Sequence, residues 1–435
     1  MGSLNACQVV EQFAEDATSA IHATDRQAES QSMTIEDYVQ LGLSQNLRVT
    51  EAQYRITELQ HRVPQVMALP DPMINTNTFL SPIQTAAGEQ QFSLGISQKF
   101  TNSQRRRTRA AIVSSEISAA QAKLTQLELE VAEQVRVACF QLLFIRRSIV
   151  ITQEDLESLK QIGQIVQRQF EVQQNVTQQD VLNVETEIAN INNQLTILRQ
   201  KERSFNARLA RLTRLPIDAP LAIRDSLVVR KYDLSLDQLT AQASQMRPEL
   251  AAQLATIQGS QHKICLASMQ RKPDFTVGLN WIATSSEGIS PVANGDDALS
   301  LGIGFNLPIQ KKRISAAVGE AKAATMASTS RYENLRDQVV EEVFDLIAQA
   351  ESNAEMIRSV QRDILPFARR TLELSIEEYV AGELNYVQLV DNWRALLRYR
   401  ITEYRLISEY NQAIASLSRS IGGLDLLPES DQVDR

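Results

Sequence analysis

The residue types that ligate metals or act as nucleophiles are scarce in this sequence. Its 435 residues include three histidines and three cysteines, namely His22, His61, His262, Cys7, Cys139 and Cys265. No two histidines have the spacing of metal ligands, and an odd number of distant cysteines predicts neither a disulfide framework nor a zinc site. No nucleotide-binding loop, zinc-protease motif or nucleophile elbow occurs. The sequence therefore gives no support for an enzyme and predicts no cofactor or metal centre.

Cys7 is the one residue for which a modification is predicted. It ends the sequence Leu-Asn-Ala-Cys, which reads like the tail of a bacterial lipobox, where the cysteine carries lipid after cleavage. The N-terminus lacks a basic region followed by an apolar core, so no complete signal peptide is predicted in the sequence as given. The alternative is an ordinary cysteine in a disordered leader.

The element that must organise any site is a long helix predicted from Arg105 to Phe170. Its apolar residues alternate three and four apart, which is typical of a coiled-coil seam. These residues are Ile117, Ala120, Leu124, Leu127, Val131, Val135, Ala138, Leu142, Ile145 and Ile149. At 1.5 Å per residue the helix would be roughly 100 Å long, so it needs partners along its whole seam. A return helix with the same spacing is predicted to stop at Pro216.

Two short segments with a period of two precede the long helix. Over 74–80, isoleucine, threonine and leucine alternate with Asn75, Asn77 and Phe79, and over 92–97 apolar side chains alternate with serine and glycine. These segments are predicted to be amphipathic strands joined by a loop that contains Pro82 and Gly88. Each is about ten residues long, the length that spans an outer membrane when tilted.

The same order of elements occurs twice. Thr34 and Asp37 predict a capped helix running towards Val63, with Pro64 near its end, and Ser235 starts a similar segment. Pro366 should kink the second long helix, which is predicted over 311–379. The predicted organisation is therefore two repeats, at 33–216 and 235–423, joined by a linker at 217–234. The first repeat has strands at about 72–100 and a helical hairpin at about 105–213, and the second has strands at about 273–308 and a hairpin at about 311–421. A disordered leader at 1–32 precedes the repeats, and a polar tail at 424–435 follows them.

Two basic clusters, at 105–107 and 311–313, follow the two strand pairs. They lack interleaved aromatic residues, and the chain has a formal net charge of -8, so no nucleic-acid partner is predicted. Arginine and lysine side chains that reach anionic headgroups at the inner face of a membrane explain both clusters better.

Four short strands cannot close a barrel alone, so several chains must pool their strands. Pattern alone leaves the number of chains open.

The order and motifs of this chain, over roughly 33–423, resemble the TolC-like outer-membrane efflux family. The segments at 69–73 and 95–100 are most similar to its heavy-metal efflux branch, and 306–309 resembles its strand-to-helix junction. The resemblance implies a mainly α fold with membrane β-strands. It also implies a homotrimer, in which a twelve-stranded barrel in outer-membrane lipid is continued by a periplasmic α-helical barrel.

What the resemblance implies for function is the exit duct of a tripartite efflux system. Its partners would be a periplasmic adaptor and an inner-membrane pump, expected to be of the resistance-nodulation-division type. Metal cations are the cargo that the motif at 69–73 favours over drugs, although selectivity in such systems generally belongs to the pump. The alternative is a soluble coiled-coil scaffold, which explains the helical seams but not the two strand pairs.

The resemblance also places adaptor contacts and a gate at the turns of the two long hairpins. The adaptor contacts are expected at Asn175, Val176, Thr177, Gly382, Glu383 and Leu384. Tyr379 and Gly382 fit the family pattern in the second turn, whereas Gln173 occupies the glycine position of the first. Candidate gate residues that would attract cations are Asp180, Gln388 and Asp391. The alternatives are plain hairpin turns and solvated helix-face carboxylates.

Overall fold

The computed structural model describes residues 32–172, 177–219, 221–229, 235–287, 291 and 294–423. The predicted leader, the tail and Cys7 lie outside these residues. In the described chain, the helices are α1 (Ile35–Gln45), α2 (Leu47–Met67), α3 (Ser103–Val172), α4 (Gln178–Thr213), α5 (Leu236–Met246), α6 (Pro248–Ser268), α7 (Lys311–Ser359), α8 (Leu365–Ala381) and α9 (Tyr386–Ser420). The strands are β1 (Met73–Thr85), β2 (Gly88–Phe100), β3 (Phe275–Ser285) and β4 (Ala298–Phe305).

Each repeat opens with a capped helix, as predicted. In the first, Thr34 Oγ1 accepts from the Asp37 N–H (3.2 Å) and Asp37 Oδ2 accepts from the Thr34 N–H (2.8 Å). Ser235 and Gln238 make the same two hydrogen bonds at the start of α5. These capping boxes satisfy backbone donors that have no partner within the helix.

The prediction of one continuous opening helix was wrong. Asn46 is extended (φ -70, ψ 120) and separates α1 from α2, while Pro64 lies inside α2, which ends at Met67. Arg247 has almost the same conformation (φ -69, ψ 122) between α5 and α6. Proline at 248 disfavours the helical conformation of Arg247. Asn46 has no proline after it, but asparagine favours caps and turns because its side chain competes for backbone groups.

The long helix of the first repeat is confirmed, since α3 runs without a break over 70 residues. The second is interrupted, as predicted. A π-helix at Val360–Ile364 separates α7 from α8, and the Leu365 N–H donates to the Val360 carbonyl five residues back. Pro366 lacks an N–H and its ring crowds the preceding turn, which accounts for the wider turn at this place.

The four strands form one antiparallel sheet in the order β1-β2-β3-β4, so the pairing of β2 with β3 joins the two repeats. Strands β1 and β2 have 13 residues each, longer than predicted. Pro82 and Gly88 lie in them rather than in a loop, and only two residues connect the strands. The register shifts between Thr78 and Ile83, which accommodates the proline in β1.

The described chain groups into two compact units, and each contains segments of both repeats. Within the described residues, one unit comprises 32–46, 131–172, 177–219, 221–229 and 349–415, and the other comprises 47–130, 235–287, 291, 294–348 and 416–423. In the first unit, apolar side chains of the two long hairpins form a buried cluster that includes Leu159, Ile162, Val184, Leu389 and Trp393. In the second, a smaller cluster includes Leu239, Ala243, Val343, Leu417 and Ile421. Of the seam residues predicted in α3, those from Val131 to Ile145 are buried, whereas Ile117, Ala120, Leu124 and Leu127 are partly exposed.

Candidate functional site

One face of the sheet carries a continuous set of apolar side chains. Register places Ile74, Ile96, Leu279 and Leu301 in one row across the four strands. Side chains on this face remain exposed in the single chain, 68% for Leu301 and 69% for Ile303. The apolar members are Ile74, Phe92, Leu94, Ile96, Phe275, Val277, Leu279, Trp281, Leu299, Leu301, Ile303 and Phe305. A soluble monomer rarely exposes an apolar surface of this extent.

The opposite face of the sheet is mainly small or polar. One row across it contains Asn75, Gly95, Asn280 and Ser300. An apolar outer face with a polar inner face is typical of strands in an outer-membrane barrel. Among the described helices, none is apolar over a stretch long enough to cross a membrane.

Aromatic side chains lie at both ends of the apolar face. Phe92 packs edge-on against Trp281 with ring centroids 6.3 Å apart, and Trp281 Nε1 donates to Asp297 Oδ2 (3.1 Å). At the other end, Phe275 and Phe305 lie 6.4 Å apart. Aromatic rings flank the apolar band of membrane barrels because one edge meets water and the other meets lipid.

A buried ion pair joins the repeats where the sheet meets the helices. Arg105 Nη1 donates to both carboxylate oxygens of Asp274 (2.8 and 3.0 Å), and its Nη2 donates to the carbonyls of Met269 and Lys272. The two side chains are only 11% and 9% exposed. Arg106 is held by the Met67 carbonyl. The expectation that this basic cluster serves mainly to reach headgroups was therefore wrong for Arg105 and Arg106, which are held by protein groups.

The first hairpin turn is described from Thr177 onward, so Asn175 and Val176 lie outside the described residues. Thr177 caps α4, since its Oγ1 accepts from the Asp180 N–H (3.3 Å). The Asp180 carboxylate accepts in return from the Thr177 N–H (2.9 Å) and hydroxyl (2.8 Å). Asp180, a predicted gate residue, thus forms half of a capping box.

The second hairpin turn is built around Gly382. This residue adopts a left-handed conformation (φ 81), and its N–H donates to the Tyr379 carbonyl (3.1 Å). The Glu383 and Leu384 N–H groups both donate to the Glu378 carbonyl, at 2.9 and 3.3 Å. This closes the end of α8 in the way common for helices that stop at glycine.

The two return helices start with the same hydrogen bond. Asn385 Oδ1 accepts from the Gln388 N–H (2.9 Å), as Thr177 accepts from Asp180. Gln388 therefore occupies the position in its repeat that Asp180 occupies in the other. The structure brings these gate candidates to equivalent places, one acidic and one neutral.

The third gate candidate, Asp391, is part of a charged group that sequence reasoning missed. Arg394 Nη1 donates to Asp391 (3.0 Å), and Arg394 also makes two hydrogen bonds to Glu187 (3.0 and 2.8 Å). The hydrogen bond from Arg394 lowers the pKa of Glu187, although burial opposes the shift. The spacing of three residues between Asp391 and Arg394 could have predicted their pairing, whereas Glu187 belongs to the other hairpin.

Two tyrosines lie beneath the second turn. Tyr379 and Tyr386 are buried, and burial raises the pKa of each to about 12, with smaller contributions from nearby carboxylates. Both phenols are therefore neutral at physiological pH.

Cys139 is also buried, which raises its pKa, and Cys265 is exposed. In the described residues, no group of histidine, cysteine and carboxylate side chains could hold a metal ion.

Comparison with known proteins agrees with this geometry. Residues 239–423 match the model of the outer membrane efflux protein family. Similar solved structures include the outer-membrane channel OprN (TM-score 0.75, 19% identity, 90% of each chain), the Campylobacter jejuni channel CmeC (0.73, 16%, 92% and 90%) and CusC (0.75, 18%, 92% and 96%). At these identities the structures establish the fold. No curated protein matches the sequence significantly.

The chain is thus similar to outer membrane efflux proteins over 239–423 and has the fold of outer-membrane channels over about nine-tenths of its length. Its family match and its fold make it an exit channel that spans the outer membrane and extends into the periplasm. Proteins of this family are transport channels and not enzymes. They work as trimers with periplasmic adaptors and inner-membrane pumps.

Proposed function

We propose that this channel is the exit duct of a tripartite efflux system, assembled as a homotrimer whose twelve strands close one barrel. The observation that carries the proposal is the four-stranded sheet, with one exposed apolar face and two unpaired edges, β1 and β4. A single chain leaves those edges without partners, and closure of a barrel removes them. A soluble coiled-coil scaffold gives no reason for such a sheet.

The test of assembly is the native mass and gel mobility of protein extracted from membranes with detergent. We expect a trimer whose mobility changes on boiling, because closed barrels resist detergent until heated. A soluble monomer with only helical signal would exclude the duct and favour the scaffold.

We further propose that the adaptor contacts both hairpin turns, at Asn175, Val176 and Thr177 in the first turn and at 382–384 in the second. The exposed carboxylate of Glu383 at the second turn makes the test direct. Glu383→Arg should abolish export while the heat-sensitive trimer persists, because the change touches no buried contact. Glu355→Arg, an exposed control on α7, should export normally. Normal export by Glu383→Arg would remove this residue from the adaptor surface.

The proposed gate is formed by Asp180, Gln388 and Asp391, repeated by the trimer. Asp180→Gln removes the negative charge but keeps a side chain that can complete a capping box. Glutamine is also the residue at the equivalent position, 388. We expect unchanged thermal stability and reduced preference for cations in planar-bilayer conductance. Unchanged ion selectivity would leave Asp180 with its capping role alone.

The pump we propose is of the resistance-nodulation-division type, with metal cations as cargo. Support comes from the motif at 69–73, which is similar to the heavy-metal branch. Deletion of the gene should lower tolerance to copper or silver salts more than tolerance to dyes and antibiotics. The reverse pattern would assign drug-like cargo instead.

A further inference from the structure

The strands of the sheet carry almost no charge. Their only charged residues are Glu89, near the start of β2, and Lys99, near its end. Ten residues of extended strand separate the two by about 30 Å, so their charges lie at opposite ends of the sheet. Lys99 is at the end that meets the helices, shortly before α3 begins at Ser103. Its charge is therefore not balanced by another strand residue.

Register places Lys99 on the polar face of the sheet. It lies in one row with Thr276 and Gly304, on the same face as Asn280. The neighbouring row consists of one serine and two glycines, and a Cβ added at Gly304 would meet no atom within 4 Å. The Lys99 side chain therefore projects from this face without a neighbour large enough to cover it, and 54% of it is exposed.

The nearest carboxylate is already bound to another cation. Lys99 Nζ lies 3.8 Å from Asp274 Oδ2. Both oxygens of Asp274 accept from Arg105 Nη1, so the buried carboxylate compensates the charge of Arg105. Asp71, an exposed residue that precedes β1, makes no ion pair with Lys99 in the described part of the chain. The ammonium of Lys99 is therefore left as an uncompensated charge on the polar face of the strands.

We propose that Lys99 sets the ion preference of the barrel. The inference rests on the proposed trimer, in which three copies place three Lys99 side chains at one level of the lumen, at the end that meets the helices. A ring of like charges raises the local concentration of ions of opposite sign, and residues in the lumen of a membrane barrel tune its selectivity. This section of the channel favours small anions such as chloride over potassium. Its sign is opposite to that of the carboxylates proposed for the gate.

The ring is tested by the reversal potential of purified trimers in planar bilayers across a KCl gradient. On a dilute side of about 0.01 M the Debye length is about 30 Å, so charges on the lumen wall act across the pore. Lys99→Thr should lower the ratio of chloride to potassium permeability by about threefold, and Lys99→Glu should lower it further. Lys99→Arg should match the parent because it keeps the charge. An unchanged ratio in conducting Lys99→Glu trimers would overturn the proposal.

Moving the charge separates its electrostatic effect from a structural role of the side chain. Thr276 lies directly opposite Lys99 on β3, so Lys99→Thr with Thr276→Lys returns the charge to the same level of the same face. This exchange should restore the parent ratio. Thr276→Lys alone should raise the ratio above that of the parent, a gain that loss of folding cannot imitate.

The matched control moves the charge to the other face. Gln98 pairs with Val277 on the apolar face, so Lys99→Gln with Gln98→Lys keeps the composition but removes the charge from the lumen. This variant should behave like Lys99→Gln. If it restores the ratio as fully as the exchange with Thr276, the charge does not act from the lumen and the proposal is wrong. If the parent itself yields no heat-sensitive trimer, the proposed assembly fails, and the ring fails with it.

Discussion

In the first repeat the long helix is unbroken over 70 residues, whereas in the second it passes through a π-helix at Val360–Ile364 and resumes as α8. The hairpins of the two repeats share one register around Ile74–Ile96 and Val277–Ile303, and they differ farther along, where β1 shifts register between Thr78 and Ile83. The contrast distinguishes the effect of periodic sequence patterns from the effect of single residues. Periodic patterns determine the elements that the repeats share, and single residues such as Pro366 determine where they differ.

The largest effect should come from charges on the apolar face, where the repeats are equivalent. Leu94 and Leu301 occupy corresponding positions near the middle of β2 and β4. Arginine at a lipid-facing position near the bilayer centre costs about 2–4 kcal/mol. Leu94→Arg and Leu301→Arg should therefore reduce heat-sensitive trimer to a similar extent, measured by gel mobility after membrane extraction.

Ser300→Arg is the matched control, since this residue neighbours Leu301 but points to the opposite face. It should leave assembly intact and change conductance instead. Loss of assembly in Ser300→Arg but not in Leu301→Arg would mean that the faces have been assigned the wrong way round.

The second effect concerns the helix breaks at Asn46 and Arg247, which share a backbone conformation but differ in their surroundings. Arg247, 6% exposed, donates to Glu342 (2.6 Å), which also accepts from Arg419 and Ser420. Glu342→Ala removes the carboxylate that binds Arg247, Arg419 and Ser420, and it leaves the buried Arg247 guanidinium with only its ion pair to Glu249 (3.2 Å). We expect a loss of about 3 kcal/mol in the free energy of unfolding, measured by thermal melting in detergent. Glu341→Ala, its exposed neighbour, should have little effect.

The pH dependence sharpens this prediction. Burial raises the pKa of Glu342, but its hydrogen bond to Arg247 and the charges of Arg247 and Arg419 outweigh this, and the pKa falls below its ordinary 4.5. Such a carboxylate stabilises the fold fully above its unfolded pKa and loses that contribution as pH falls through the folded pKa. Below about pH 4.5, the melting temperature of the parent should therefore fall more steeply with decreasing pH than that of Glu342→Gln.

Much of the fold was predictable because its signals are local and occur twice. The capping residues Thr34 and Ser235, the seam of α3 and the alternation in both strand pairs each predicted an element that the structure contains. Asn46 was missed because no proline marks the break. Pro82 was misread as a loop signal, although a register shift accommodates it within β1.

The candidate site was less predictable because its contacts join distant parts of the chain. Pro273-Asp274 repeats Pro70-Asp71 in sequence, but nothing in its neighbourhood reveals that Asp274 binds Arg105. Glu187 lies more than 200 residues from Arg394 in sequence, so their ion pair depends on how the hairpins pack. A resemblance could suggest Asp180 as a gate residue, but not that its carboxylate completes a capping box.

A third effect distinguishes the two hairpin turns. The second turn requires a positive φ at Gly382, which a β-carbon disfavours by about 1–2 kcal/mol. Gly382→Ala should lower the melting temperature, and Gly382→Asn should lower it less, because asparagine tolerates this conformation. Equal losses from both variants would show that contact with the new side chain, rather than backbone conformation, is responsible.

The smallest effect should come from the first turn, where return helix α4 depends on a side-chain cap. Thr177→Ala removes the acceptor of the Asp180 N–H and should cost about 1 kcal/mol. Thr177→Ser keeps the hydroxyl and should melt like the parent. Hydrogen exchange of the first α4 amides should localise the loss, since only donors near the helix start lose their partner. If Thr177→Ala leaves this exchange unchanged, the start of α4 is held by other contacts, and the two turns are less different than their hydrogen bonds indicate.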